Sequence, residues 1–187
     1  MASRRRAPAL SRLPVLDEDE NVRTVIETPK GSRAKLAFDE KLEAFVVKKV
    51  LPEGMSFPFD FGFIPSTLGG DGDPLDVLVL MDEPAMAGVV VPSRLVGVIE
   101  ARQTERDGKS EDNDRLIAVA SVSNLFRDVK TLKDLPDAVV DQIEHFFVSY
   151  NEQAGKHFEP VGQHGPTRAN RILDKAMRQH RARRRSK

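Results

Sequence analysis

Residues 71–80 read Asp71-Gly72-Asp73-Pro74-Leu75-Asp76-Val77-Leu78-Val79-Leu80, a turn carrying three carboxylates that runs directly into an apolar strand. Runs of the same kind recur on both sides. Upstream, Val22 to Thr28, Lys35 to Asp39 and Ala44 to Leu51 are short and β-rich. Downstream of the run Asp76 to Met81 come Gly88 to Val91, Arg94 to Ala101 and Arg115 to Ser121. Turns containing Pro and Gly join these runs, and no helices alternate with them, so an antiparallel barrel is expected rather than a parallel α/β sheet. The polar segment from Thr104 to Asp114 reads as a flexible exposed loop.

Two helices are expected after the strands. Pro136 suits a first helical turn, and Val139, Ile143, Phe146, Phe147 and Tyr150 then recur on one face. After Pro166 a second helix places Ala169, Ile172, Leu173 and Ala176 on one stripe before dissolving into a basic tail. The expected organisation is a single domain over 21–177, with a basic, disordered N-terminal tail over 1–20 and a basic C-terminal tail over 178–187.

Composition narrows the function. A chain of 187 residues supports one full hydrophobic core, and no stretch approaches the roughly 20 apolar residues of a membrane helix. There is no cysteine, which excludes disulfides, thiolate metal sites and cysteine nucleophiles. The N-terminus lacks the apolar run of a secretory signal, so a cytoplasmic location is expected. The formal net charge of zero conceals a split, because ten of the 29 basic residues lie in the two ends, leaving 19 in the body against all 29 acids. An acidic body attracts divalent cations and argues against a nucleic-acid reader, although the basic ends could touch a polyanion.

Crowded carboxylates repel one another, and either solvent or a hard cation relieves the repulsion; magnesium prefers such oxygen ligands. The bland alternative is a solvated acidic turn. A helix-loop-helix calcium site fails on position, because counting from Asp71 the sixth and twelfth residues are Asp76 and Asp82 rather than Gly and Glu. His145, His157, His164 and His180 are too scattered for a zinc pair, and Gly69-Gly70-Asp71-Gly72 lacks the lysine of a phosphate-cradling P-loop.

Asp71-Gly72-Asp73-Pro74-Leu75-Asp76-Val77 resembles the signature of the soluble, family I inorganic pyrophosphatases, and its flanks agree in order. Val25-Ile26-Glu27-Thr28-Pro29, Met55 to Pro65, Arg115 to Val119, Phe146 to Tyr150 and Gly155-Lys156 all look like family segments, so the resemblance spans roughly residues 22 to 165. It implies a mainly β fold, a five-stranded OB-like antiparallel barrel with two C-terminal helices. It also implies magnesium-dependent hydrolysis of diphosphate, with several Mg2+ ions per site and a homo-oligomer, hexamer or dimer, in which His145 sits in a contact helix. On the matching positions Asp71, Asp76 and Asn113 would bind metal, and Asp73 would orient and deprotonate the attacking water. Glu27 would support metal-bound waters, and Lys35, Lys49, Arg115 and Tyr150 would face the phosphates.

The departures from the family pattern cluster in that site. Lys49 and Arg115 stand where the family has arginine and lysine. Phe57 and Phe61 replace tyrosines, Ala37 a glutamate, Asn151 a lysine and Asn113 a ligand aspartate. Glu105 or Asp107 could supply a second loop carboxylate. These changes leave open a pyrophosphatase-like binder of phosphorylated ligands or partner proteins that has lost turnover.

Overall fold

The computed structural model describes residues 9–185; of the tails expected over 1–20 and 178–187, the parts at 1–8 and 186–187 lie outside the described residues. Strand β1 (Val22–Thr28) is followed by a separate hairpin, β2 (Ala34–Asp39) and β3 (Ala44–Val50). Then come β4 (Asp60–Ile64), β5 (Leu75–Leu80), the long β6 (Val90–Thr104), β7 (Ser110–Asp112) and β8 (Arg115–Ala120). Helix α1 (Asp137–Glu152), strand β9 (His157–His164) and helix α2 (Pro166–Arg185) complete the chain.

Five strands close into a ring, because β1 pairs β4, β4 pairs β5, β5 pairs β8, β8 pairs β6 and β6 returns to β1. The mainly β class with two C-terminal helices is as expected. One seam differs: β5 and β8 run parallel, with Val77 opposite Leu116. The two runs expected at Gly88 to Val91 and Arg94 to Ala101 form one 15-residue strand, β6. It also carries β7 and β9. The expected flexible loop over 104–114 is instead the tip and return of the β6–β7 hairpin, with Arg102 opposite Asp112.

Period-2 alternation divides the ring strands between two apolar clusters. Leu78 and Leu80 of β5 with Ile117 and Val119 of β8 meet Phe57, Phe61 and the α1 residues Ile143 and Phe147. Val77 and Val79 with Leu116 and Ala118 meet Ile26, Ile64 and the α2 residues Ala169 and Leu173. With a helix against each cluster, β5 and β8 bury both faces, which is why their sequences are apolar without interruption.

Two expectations about the ends are corrected. Leu10–Arg12 form a 3-10 turn and Leu16 bridges to Val22, so the described part of the N-terminal segment is structured. Helix α2 does not dissolve after residue 177 but continues to Arg185. Nothing in Arg, Ala, Gln or His breaks a helix, and cations in a last turn complement the negative end of the helix dipole. Among the described residues no helix is long and apolar enough to cross a membrane.

Closing the ring requires close backbone approach at one point. A Cβ on Gly62 would lie 2.0 Å from the carbonyl oxygen of Val25, its neighbour across the β1–β4 seam. Backbone cannot yield as a side-chain tip does. Gly62→Ala is therefore expected to destabilise the fold by about 3 kcal/mol, read as a lowered urea midpoint with an unchanged denaturant slope.

Candidate active site

The parallel seam starts β5 and β8 side by side, so Asp76 and Arg115, each one residue before the pair Val77 and Leu116, are neighbours. Arg115 Nη1 lies 2.8 Å from Asp76 Oδ2. The same guanidinium donates to Asn113 Oδ1 and, at 3.2 Å, to the carbonyl of Asp114. It also lies over the rings of Phe147 and Phe158, 4.8 and 5.6 Å from their centres. Arg115 is 4% exposed, and its Nε is buried without a hydrogen-bond partner.

Glu27 reaches the same place through a β-bulge. On β1, Ile26 faces Gly62 and Thr28 faces Phe61, leaving Glu27 as the extra residue, and such bulges re-aim side chains. Its Oε1 accepts from the Phe38 amide at 2.7 Å, and its Oε2 lies 3.4 Å from Lys35 Nζ. Burial pushes the Glu27 carboxyl above the usual glutamate range, against the opposing pull of Lys35. Burial likewise lowers Lys35, with Glu27 and Asp76 opposing. The Lys35 ammonium sits 3.8 Å from the centre of the Phe61 ring.

A second bulge lies opposite. Lys35 pairs with Lys49 and Leu36 with Val47, so Lys48 is the extra residue on β3, and Lys48 lines the cleft. Lys49 is placed 3.4 Å over the Tyr150 ring, its pKa lowered first by burial and then by Lys156 and Lys35.

The cleft bounded by these groups has a volume of about 810 Å³. Glu27, Lys35, Arg115 and Tyr150 line it from one side, Asp73 and Asp76 from the acidic loop. That loop turns at Gly72, whose φ of +89° a glycine adopts without strain. Asp71 Oδ1 accepts from the Asp73 amide at 3.0 Å. Partial loss of solvent raises the Asp71 pKa, and the nearby charges of Asp76, Asp73 and Glu111 raise it further.

The structure thus brings Glu27, Lys35, Asp73, Asp76, Arg115 and Tyr150 to one cleft, with Lys49 against Tyr150 and Asp71 at the loop. Asn113 is occupied differently from the metal role that the resemblance implies. Its oxygen receives Arg115 and its amide donates to Gln103 Oε1 at 2.8 Å, so it holds the guanidinium. Glu105 is engaged with Lys156 at 2.8 Å. Phe57 and Phe61 are 1% and 4% exposed and serve as core. Asn151 is buried, donating to the Phe147 carbonyl at 2.8 Å, and Ala37 lines the cleft wall.

Five basic lining residues were not assigned to the site from the sequence: Arg12, Lys48, His180, Arg183 and Arg184. A signal existed for three of them. The buried stripe Ala169, Leu173 and Ala176 continues at helical spacing to His180 and then to Arg183 and Arg184.

A closed β ring that sets a carboxylate loop against a half-buried lysine and a buried arginine places oxygen donors of the kind hard cations take beside cationic groups of the kind a polyanion takes. The family model described as inorganic pyrophosphatase matches residues 24–181, and the chain belongs to that family. An inorganic pyrophosphatase from Nostoc sp. is 34% identical over 169 residues, covering 90% of this chain and 97% of the relative. The crystal structure of inorganic pyrophosphatase from Thermus thermophilus superposes with a TM-score of 0.84 at 33% identity, covering 93% of this chain and 99% of that one. The inorganic pyrophosphatase from Helicobacter pylori gives 0.81 at 33% identity, covering 90% and 98%.

Tyr150 provides a direct probe of the site, because the chain has no tryptophan and no other tyrosine. Burial pushes its phenol up to about 12, with Arg115 opposing and the carboxylates of Asp76 and Glu27 reinforcing the rise. A raised folded-state value means that the stability tied to the neutral phenol is intact below pH ~10, the unfolded value, and is lost as pH rises through about 12. Phenolate absorbance during an alkaline titration should show half-ionisation near 12 in the folded protein; a midpoint near 10 with the fold intact would contradict this environment.

Proposed function

We infer that this chain hydrolyses inorganic diphosphate to two phosphates in the cleft between the acidic loop and the Lys35–Arg115 wall. The observation that carries this reading is Arg115. It is fixed by Asp76 and Asn113, flanked by aromatic rings and left with a buried Nε–H that no protein acceptor satisfies. Buried donors without acceptors are rare in folded proteins, and a phosphate oxygen would complete this one.

Members of this family depend on a metal, and the donor chemistry here suits magnesium. Asp71, Asp73 and Asp76 offer only oxygen, and their mutual repulsion is what a hard cation relieves. Among the described residues no three His, Cys, Asp or Glu side chains converge on one point. Magnesium tolerates that, because it keeps several waters and takes one or two carboxylates together with substrate phosphates. When bound, the ions would neutralise phosphoryl oxygens and acidify water.

The protein groups divide the remaining work. Asp73, exposed at the cleft mouth, orients the attacking water and accepts its proton. The water oxygen forms the new bond to phosphorus, and the bridging oxygen departs with the other phosphate. Arg115 and Lys35 hold the phosphates and balance the charge that develops on the leaving group. Tyr150 donates from a phenol that is neutral at pH 7, as any phenol is whose pKa lies at or above about 10. Glu27 positions Lys35 and accepts from ordered water, and Lys49 contributes a cation from above Tyr150.

Phosphate release from magnesium diphosphate tests the reading. The wild-type protein should turn over, and Asp73→Asn should lose at least about 100-fold in kcat while remaining folded. A folded wild-type protein with no turnover across a range of magnesium concentrations would sink the proposal.

A further inference from the structure

The cleft has walls of two origins. Lys35, Arg115 and Tyr150 fall within the family match over residues 24–181, whereas Arg12, Arg183 and Arg184 lie outside it. The outlying segments are docked in place. Ser66 N donates to Ser11 O at 3.0 Å, and Ser66 Oγ donates to Leu13 O at 2.8 Å, which fixes the turn that carries Arg12. Leu68 N donates to Ala176 O at 3.2 Å, which holds α2 on the same stretch of chain. Beyond that contact, Arg183 Nη1 donates to the Gly72 carbonyl of the acidic loop at 3.2 Å.

The last turns of α2 therefore reach from the acidic loop towards the β2–β3 tip at Glu40. His180 registers both ends. Its pKa is lowered by burial, then by the charges of Arg184 and Arg183, while Glu40 opposes. The charges of Arg184 and Arg183 add to the effect of burial there, and an end of the cleft that gathers such cations suits an anion.

The outer end differs from the inner in how its cations are engaged. Lys35 and Arg115 each face a carboxylate, Glu27 and Asp76. Among the described residues neither Arg12 nor Arg184 is ion-paired, and Lys48 stands on the same rim. Guanidinium forks match phosphate oxygens in a way that a point charge does not. Among the described residues that line it, the outer end has no free aromatic platform for a nucleobase. Of the phenylalanines in the cleft wall, Phe57, Phe61, Phe63 and Phe147 are at most 5% exposed, and Phe38 stacks on Phe63 with ring centres 6.4 Å apart. A cleft of about 810 Å³ is also of a size that holds a drug-sized ligand, more than diphosphate alone fills.

We propose that the end of α2 and the Leu10–Arg12 turn form an outer anion subsite that receives the third phosphoryl group of a linear condensed phosphate, so that the chain cleaves tripolyphosphate as well as diphosphate. The inference rests on the diphosphatase reading of the inner site. With the end phosphorus in the inner site, the oxygen of water bonds to it and the bridging oxygen leaves with the remaining diphosphate. One proton of water stays on the new phosphate and the other passes to solvent at neutral pH, so no further reactant is required. The leaving diphosphate extends to Arg12, Arg183 and Arg184.

The test compares the wild type with R183A/R184A, using tripolyphosphate and diphosphate in two measurements. One is kcat/KM with magnesium; the other is calorimetric binding in a chelator, where turnover is absent. The ratio of tripolyphosphate to diphosphate should fall at least about tenfold in both, as expected for losing charged hydrogen bonds. R183K/R184K should restore part of the ratio, and R178A/R181A, which removes equal charge from α2 outside the cleft wall, should leave it intact. Alanine keeps the helix, so the variants should fold. Wild-type protein that cleaves diphosphate but neither binds nor cleaves tripolyphosphate would overturn the subsite, as would a ratio unmoved by R183A/R184A. ATP matching tripolyphosphate in the wild type and falling equally in the variant would assign the subsite to nucleoside triphosphates and overturn the condensed-phosphate assignment. If the wild type hydrolyses nothing, a chelator-phase preference for tripolyphosphate that the variant loses would support the subsite while removing the hydrolytic reading beneath it.

Discussion

The ion pair between Arg115 and Asp76, 2.8 Å apart at the start of the parallel β5–β8 seam, is the contact on which fold and site both depend. A guanidinium that is 4% exposed is costly to bury unless its charge is matched and its donors are used. Asp76, Asn113 and the Asp114 carbonyl gather at Nη1 and Asp76 matches the charge, Nε has no acceptor, and Phe147 and Phe158 lie against the guanidinium. The pair therefore ties the strand that follows the acidic loop to the strand that follows the β6–β7 hairpin. An antiparallel seam at this point would start the two strands at opposite ends and separate the two charges.

Around the pair, irregularities in the ladders set which side chains enter the cleft. Glu27 and Lys48 are each the unpaired residue of a bulge, and without the bulge the period of two would change their facing. Burial then sets the electrostatic character of the inner wall. It raises Glu27 and lowers Lys35, so both ions are held at a cost that their mutual attraction offsets only in part. Groups held in this way respond strongly to an added anion or cation. The acidic loop contributes the opposite charge from a solvent-exposed turn, where cations can arrive and leave.

Much of this was legible in the sequence. The apolar runs ended where the strands end to within a residue or two for β1, β2, β3, β5 and β8: burial removes most polar residues from β1, β5 and β8, and turn residues mark the limits of the more exposed β2 and β3. The site carboxylates and cations were legible through ordered motifs around Asp71 to Asp76. Three things were hidden. The parallel seam leaves no local mark, because strand direction is set by the chain path between β5 and β8. β4 and β9 were missed, Asp60–Ile64 because glycine interrupts it and His157–His164 because its exposed residues are polar and include proline. The role of the basic C-terminus was hidden by charge. Six cations in ten residues read as a solvated tail, and only the continuation of the Ala169, Leu173 and Ala176 stripe indicated that one face of the helix stays against the protein.

Whether the Arg115–Asp76 pair joins fold to chemistry is tested most directly by a double-mutant cycle on Arg115→Gln and Asp76→Asn, following urea stability and diphosphate turnover together. The two substitutions should be strongly coupled in stability. Asp76→Asn alone strands a buried guanidinium, and removing Arg115 as well should recover on the order of 1–3 kcal/mol of the loss, while turnover stays lost in all three variants. Additive stability losses, or a double variant that regains turnover, would contradict it.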